Sequence, residues 1–200
     1  MAASMATAKG LNGIEAGAKK LAKPKLGDVG TDGGAVLNDV GDGASVKSGI
    51  IGYNYLDDQL GSLKDKVKIN QYQSAESVND WWGVRGYKSP YKEKTVVQNI
   101  TLTEDTKFVR VYDGVNSHLE GGWVMRAEDI KGLTSKEIQA KFALEHEPIF
   151  IGEVELKAGD TIRLGEVGPN FGFDGGGVQI DLQQQWIGDF AEIGKIEDWR

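Results

Sequence analysis

Apolar residues recur at spacings of three and four along Tyr53–Lys68. Tyr53, Leu56, Leu60, Leu63 and Val67 fall on one face, which predicts a helix interrupted at Gly61. Ser74–Trp82 (SAESVNDWW) opens on a possible N-cap serine and reads as a short helix ending at Gly83, with Trp81-Trp82 as a core anchor. The pattern then changes. Lys94–Leu102 (KTVVQNITL) is β-branched and reads as a strand. Thr106–Asp113 alternates, with Phe108, Arg110 and Tyr112 on one face and Lys107, Val109 and Val111 on the other. Gly122–Arg126 is a short strand and Ala127–Ile130 a turn. Thr134 with Glu137 three residues on is a capping-box pattern, so Thr134–Phe142 reads as a helix. Strands follow at Pro148–Leu156, Thr161–Val167 and Val178–Leu182, with the loop Gly168–Gly177 between the last two. Short strands with a few helices and no βαβ spacing predict an α+β chain with a largely antiparallel sheet.

Composition divides the chain. All seventeen aromatic residues lie between Tyr53 and Trp199, and residues 1–50 carry ten glycines. Aromatic rings supply much of a core's buried area, so residues 1–52 read as a glycine-rich leader or linker, mostly helical or disordered. A helical part, 53–90, and the body, 91–200, follow. The body holds 12 Lys+Arg against 20 Asp+Glu, a net −8, whereas residues 1–90 are close to neutral at +1. An acidic body disfavours stable nucleic-acid binding, which needs lysine and arginine clusters. Cysteine is absent and histidine occurs only at 118 and 146. This removes thiolate nucleophiles, disulfides and iron–sulfur clusters, and no metal site is expected. No apolar run approaches the ~18 residues of a membrane-spanning helix, and the first twenty residues lack the apolar region of a signal peptide.

The least ordinary segment is Val167–Ile180, VGPNFGFDGGGVQI. Three consecutive glycines entering a strand permit positive φ and close approach of backbone to a ligand. Their successive N–H groups suit a carbonyl or phosphate acceptor. Phe171 and Phe173 stand ready to stack on a planar ring, and Gln179 both donates and accepts hydrogen bonds. The same residues also read as a glycine-rich hairpin with two core phenylalanines.

In its order of features the chain resembles the catalytic domain of the tuberculosis necrotizing toxin and its relatives, which are NAD glycohydrolases. The resemblance rests on ITLTEDTKFVRVYD, GGWVMR, KFAL and VELKAGDTIRLGEVGPNFGFDGGGVQI, about residues 99–182. The glycine loop is its most specific part. The body also resembles the C-terminal toxin domains of bacterial filamentous-haemagglutinin-type exoproteins, of the kind used in contact-dependent growth inhibition. The resemblance implies an ADP-ribosyltransferase-like twisted sheet and a catalytic toxin domain at 91–200 that hydrolyses NAD(P)+ at the nicotinamide–ribose bond. NAD(P)+ is then a substrate and no cofactor is expected. A cognate immunity protein is implied as partner. So are secretion within a larger exoprotein and delivery into the target-cell cytoplasm.

By the same resemblance Gln179 contacts NAD near the scissile bond, and Arg110 serves a phosphate or ribose. Phe171, Trp123 and the backbone of Gly175, Gly176 and Gly177 hold the substrate. Asp181, two residues beyond Gln179 on the same strand face, would place a carboxylate near the oxocarbenium-like centre. Two positions depart from the family. Ile180 replaces the tyrosine that usually follows the glutamine, and the arginine of the Arg-x-Leu segment appears as Lys141 or is missing. Two other activities remain open: an ADP-ribosyltransferase toxin using the same nucleotide, and a contact-dependent tRNA or RNA nuclease.

Overall fold

The computed structural model describes residues 53–199, and the expectation for the leader at 1–52 lies outside them. The described chain is α+β. Helix α1 (Tyr53–Leu60) and a 3-10 turn (Gly61–Leu63) lead into strand β1 (Val67–Ser74) and helix α2 (Ala75–Gly83). Strands β2 (Val96–Leu102), β3 (Thr106–Tyr112) and β4 (Trp123–Val124) follow. Then come short helices α3 (Ala127–Ile130) and α4 (Ser135–Lys141). Strands β5 (Phe150–Leu156), β6 (Thr161–Glu166), β7 (Val178–Asp181) and β8 (Asp189–Lys195) precede the terminal helix α5 (Ile196–Trp199).

The strands form two sheets, ordered β1-β2-β6-β7-β4 and β3-β5-β8, and their neighbours pair antiparallel. Val109 and Met125 exchange both backbone hydrogen bonds at 2.9 Å, tying β3 to the chain just after β4 and joining the sheets at one corner. The central core lies between the sheets. Ile100, Ile162, Leu164 and Ile180 of the larger one meet Phe108, Val154 and Leu156 of the smaller. Beyond the smaller sheet, Val109, Val111 and Ile151 pack against Ile130, Ile138 and Phe142 of the α3–α4 region and Ile196 of α5. Beyond the larger sheet, Val97 packs under Ala75, Val78, Trp82 and Tyr91. With layers on both sides, a strand such as β3 buries residues of both faces, so its alternation carries less meaning than in a one-sided sheet.

The caps form as the sequence predicts. The Ser74 hydroxyl accepts from the Ser77 N–H at 3.2 Å. Thr134 and Glu137 make the reciprocal capping box, with the Glu137 N–H donating to Thr134 Oγ1 at 3.2 Å and the Thr134 N–H to Glu137 Oε2 at 2.7 Å. The long helix expected over Tyr53–Lys68 stops at Leu60. Gly61 takes φ +53, which ends the helix and turns Leu63 into the core. From Val67 the chain is a strand, registered against β2 from Val67↔Leu102 to Ser74↔Val96. Residues 53–90 therefore contribute a strand of the larger sheet besides α1 and α2.

Candidate functional site

A cleft of about 340 Å³ opens at the corner of the larger sheet. Five chain segments build it. Its floor is Gln179 of β7, with Trp123 of β4 beside it. Gly86–Pro90, the segment after α2, forms one wall and brings Tyr87 and Lys88. Phe142–Glu145, just past α4, forms another; after β6 the buried Val167 lines the interior, and Asn170 and Phe171 of the β6–β7 loop close the rim. The volume lies within the roughly 300–1,000 Å³ usual for small-molecule sites.

The rim hairpin follows from its turn. The Asn170 and Phe173 backbones bond each other, at 3.0 Å and 2.8 Å. Between them Phe171 (φ +51) and Gly172 (φ +85) both take positive φ, as a type I′ turn demands. The Asn170 side chain accepts from the Phe171 N–H at 3.0 Å and holds the turn. Phe171 is thereby presented at the rim, with Lys88 Nζ 3.9 Å from its ring centroid. Ala143, on the facing wall, also takes positive φ (+45). Strained backbone of this kind concentrates at ligand sites.

Gln179 is 8% exposed, yet its side-chain amide makes no hydrogen bond to any described group. Asp181, on the same face, is its opposite. Its Oδ2 accepts from Arg163 Nη2 at 2.6 Å, Arg163 Nε at 3.0 Å and Trp82 Nε1 at 3.2 Å, and its Oδ1 from the Gln183 N–H at 2.6 Å. Burial pushes this carboxyl above the ordinary range, and Arg163 opposes the shift. Asp181 is fully buried and does not line the cleft.

Arg110 also has protein partners where the resemblance implies a phosphate. Its Nε donates to the His118 carbonyl at 2.8 Å and its Nη1 to the Trp123 carbonyl at 2.9 Å. Burial lowers its pKa, with Glu120 opposing. It fastens the chain that leads into β4, and so sets the backbone that carries Trp123. Two of the three glycine N–H groups likewise serve the protein itself. The Gly176 N–H donates to the Val167 carbonyl and the Gly177 N–H to the Lys141 carbonyl, each at 2.9 Å, in place of the open acceptor site expected of them. A Cβ on Gly175 would lie 2.6 Å from the Val167 oxygen, and one on Gly177 would lie 2.9 Å from the Lys141 oxygen and the Phe142 ring. Gly176, at φ +95, faces open space.

Of the sequence-predicted residues, Gln179, Trp123 and Phe171 therefore meet in one cleft. Arg110, Asp181 and the glycines support it from behind. Tyr87, Lys88 and Glu145 belong to the cleft and were not singled out from the sequence. The signal for the first two is an aromatic–cation pair between Gly86 and Pro90 in a segment too irregular to be a strand. A second cleft, about 500 Å³, lies by Lys66, Lys107 and Arg126 and shares no lining residue with the first. No aromatic ring lines it, and its cations are paired with Glu104, Glu153 and Asp129. Among the described residues no cluster of three or more histidine or carboxylate groups forms a metal site, and no helix is long and apolar enough to cross a membrane.

No protein-family model, curated protein or solved structure matches the chain.

Proposed function

We propose that the chain is a toxin domain that hydrolyses NAD(P)+ at the nicotinamide–ribose bond, on an ADP-ribosyltransferase-like arrangement of its antiparallel strands. The observation that carries this reading is the Gln179 amide, nearly buried, without a protein partner, at the floor of a cleft walled by Tyr87, Trp123 and Phe171. The amide's N–H and carbonyl groups reach the solvent in the cleft and are open to a ligand with polar groups held between flat rings. The carboxamide and ribose hydroxyls of a nicotinamide nucleotide are such groups.

The chemistry asks little of the protein beyond placement. The C1′–N bond breaks and its electron pair stays with nicotinamide, which leaves neutral. A water oxygen bonds to C1′ and releases a proton to solvent, giving ADP-ribose. Positive charge develops at the ribose, where a fixed dipole or carboxylate stabilises it. On this reading Gln179 holds the ribose side, and Glu145, the one carboxylate among the lining residues, supplies negative charge at the mouth of the cleft. Asp181 acts here through Arg163 and Trp82, keeping β7 and the indole layer in place. Delivery into a target cell and restraint by an immunity protein follow from the toxin reading. The net −8 of residues 91–200 suits a basic face on that partner.

Gln179→Ala should lower nicotinamide release by about one to three decades, the effect of removing one positioned polar group at a developing charge. Its thermal midpoint should stay close to wild type, because no protein hydrogen bond is lost. Radiolabelled NAD should leave no label on protein. Wild-type turnover by Gln179→Ala would end this reading.

A further inference from the structure

Resting on that reading of the cleft, we propose that Lys88 is the residue that selects phosphate-bearing ligands, so that the site takes nucleotides and discriminates against the uncharged-tail nucleoside. Lys88 is the one cation among the residues that line the cleft. Its ammonium has no carboxylate within ion-pair distance among the described residues and contacts only the Phe171 ring. Lys64, Lys66, Lys92, Lys107, Lys157 and Lys195 are paired with carboxylates, whereas Lys68, Lys94, Lys131, Lys136 and Lys141 are not; what sets Lys88 apart among the described lysines without an ion pair is its place in the cleft lining. An aromatic face holds a cation in position without neutralising it. The charge over the rim is therefore un-neutralised and available to a ligand.

Its platform is built at a local cost. Phe171 is an aromatic residue at φ +51, and Ala143 on the opposite wall sits at φ +45. Among the described residues, two of the five non-glycine residues with positive φ thus line this one cleft. The surrounding groups fix which anion fits. Lys88 and Glu145 are both exposed lining residues, so the cleft carries one cation and one carboxylate at its mouth, and Lys88 attracts a negative charge there. A ligand with a planar ring and ribose inside and a phosphate at the mouth matches this order. Lysine binds phosphate as a point charge and needs no bidentate geometry.

The test uses the full chain and three variants. Binding of ADP-ribose is followed by calorimetry, and KM is measured for NAD+ and for nicotinamide riboside, which has no phosphate. Lys88→Gln should weaken ADP-ribose binding and raise KM for NAD+ by tenfold or more. It should leave nicotinamide riboside and the thermal midpoint unchanged. Lys88→Arg should restore most of the affinity, and Lys131→Gln, an exposed lysine outside the cleft, should match wild type. Equal ADP-ribose affinity in wild type and Lys88→Gln overturns the proposal, whether or not nicotinamide is released. Lys88-dependent ADP-ribose binding with no nicotinamide release from any protein upholds Lys88 and overturns the hydrolase reading instead. A wild-type protein that binds no ADP-ribose overturns both.

Discussion

Gln179 and Asp181 stand two residues apart on the same face of β7, and their surroundings give them different work. Asp181 receives four hydrogen bonds from Arg163, Trp82 and Gln183, and Gln179 receives none through its side chain. Arg163 is nearly as buried as its partner and lies 4.5 Å from the Trp81 ring centroid. Arg163→Met should therefore leave an uncompensated carboxylate in the interior and cost about 3–5 kcal/mol. Urea unfolding at neutral pH measures this, and a loss under 1 kcal/mol would show that the pair is dispensable. Sequence could not separate these roles. An arginine and an aspartate on strands look the same whether they meet a substrate or each other. Only register decides, here Arg163↔Asp181 across β6 and β7.

The glycine loop is the element where backbone and packing make different demands. At Gly176 the only obstacle to a side chain is φ +95, whereas at Gly177 a Cβ meets the Lys141 carbonyl and the Phe142 ring. Gly176→Ala should lose about 1–2 kcal/mol, the cost of a left-handed alanine, with KM unchanged. Gly177→Ala should lose about 1–3 kcal/mol by overpacking and also raise KM, because Phe142 lines the cleft. Equal KM values in the two variants would contradict this division. Elements bounded by chemical signals were legible: the Ser74 and Thr134 caps, the β-branched β2 and the Gly61 break. Two strands were not. β1 reads as polar sequence because it is an edge strand, where Asn70 bonds laterally to Asn99 and Thr101. In β8 the ladder shifts where Ile151 faces Gly194 and Gly152 faces Glu192, which leaves Ile193 as an extra residue and spoils the alternation.

At the scale of the molecule, two sheets, an indole-rich layer and a helical layer supply three contiguous cores within residues 53–199. The aromatic-free leader adds no ring to them. A chain shortened to begin at Ile50 should unfold with the same midpoint as the full chain and bind ADP-ribose equally well. Insolubility or lost binding of the shortened chain alone would overturn that. The antiparallel α+β class was readable from short strands separated by turns. The division into two sheets was not, since it depends on which strands pair across long stretches of chain, β2 with β6 and β3 with β5, and their sequences show no sign of that choice.

The five tryptophans separate into optical classes. Trp81, Trp82 and Trp123 form a run of rings 4.9 Å and 5.1 Å apart, and Trp123 borders the cleft. Trp199 is half-buried by the helical layer, and Trp186 stands 99% exposed on the loop before β8. Rings this close couple their strong electronic transitions, so the cluster gives the far-ultraviolet circular dichroism of the native protein a paired signature at the site itself. Trp186 emits from water and is open to quenchers. Replaced by phenylalanine, it would remove the water-exposed, red-shifted emission and leave the light of the buried and half-buried rings, Trp123 at the cleft among them, so that occupancy of the cleft becomes a colour change that needs no label.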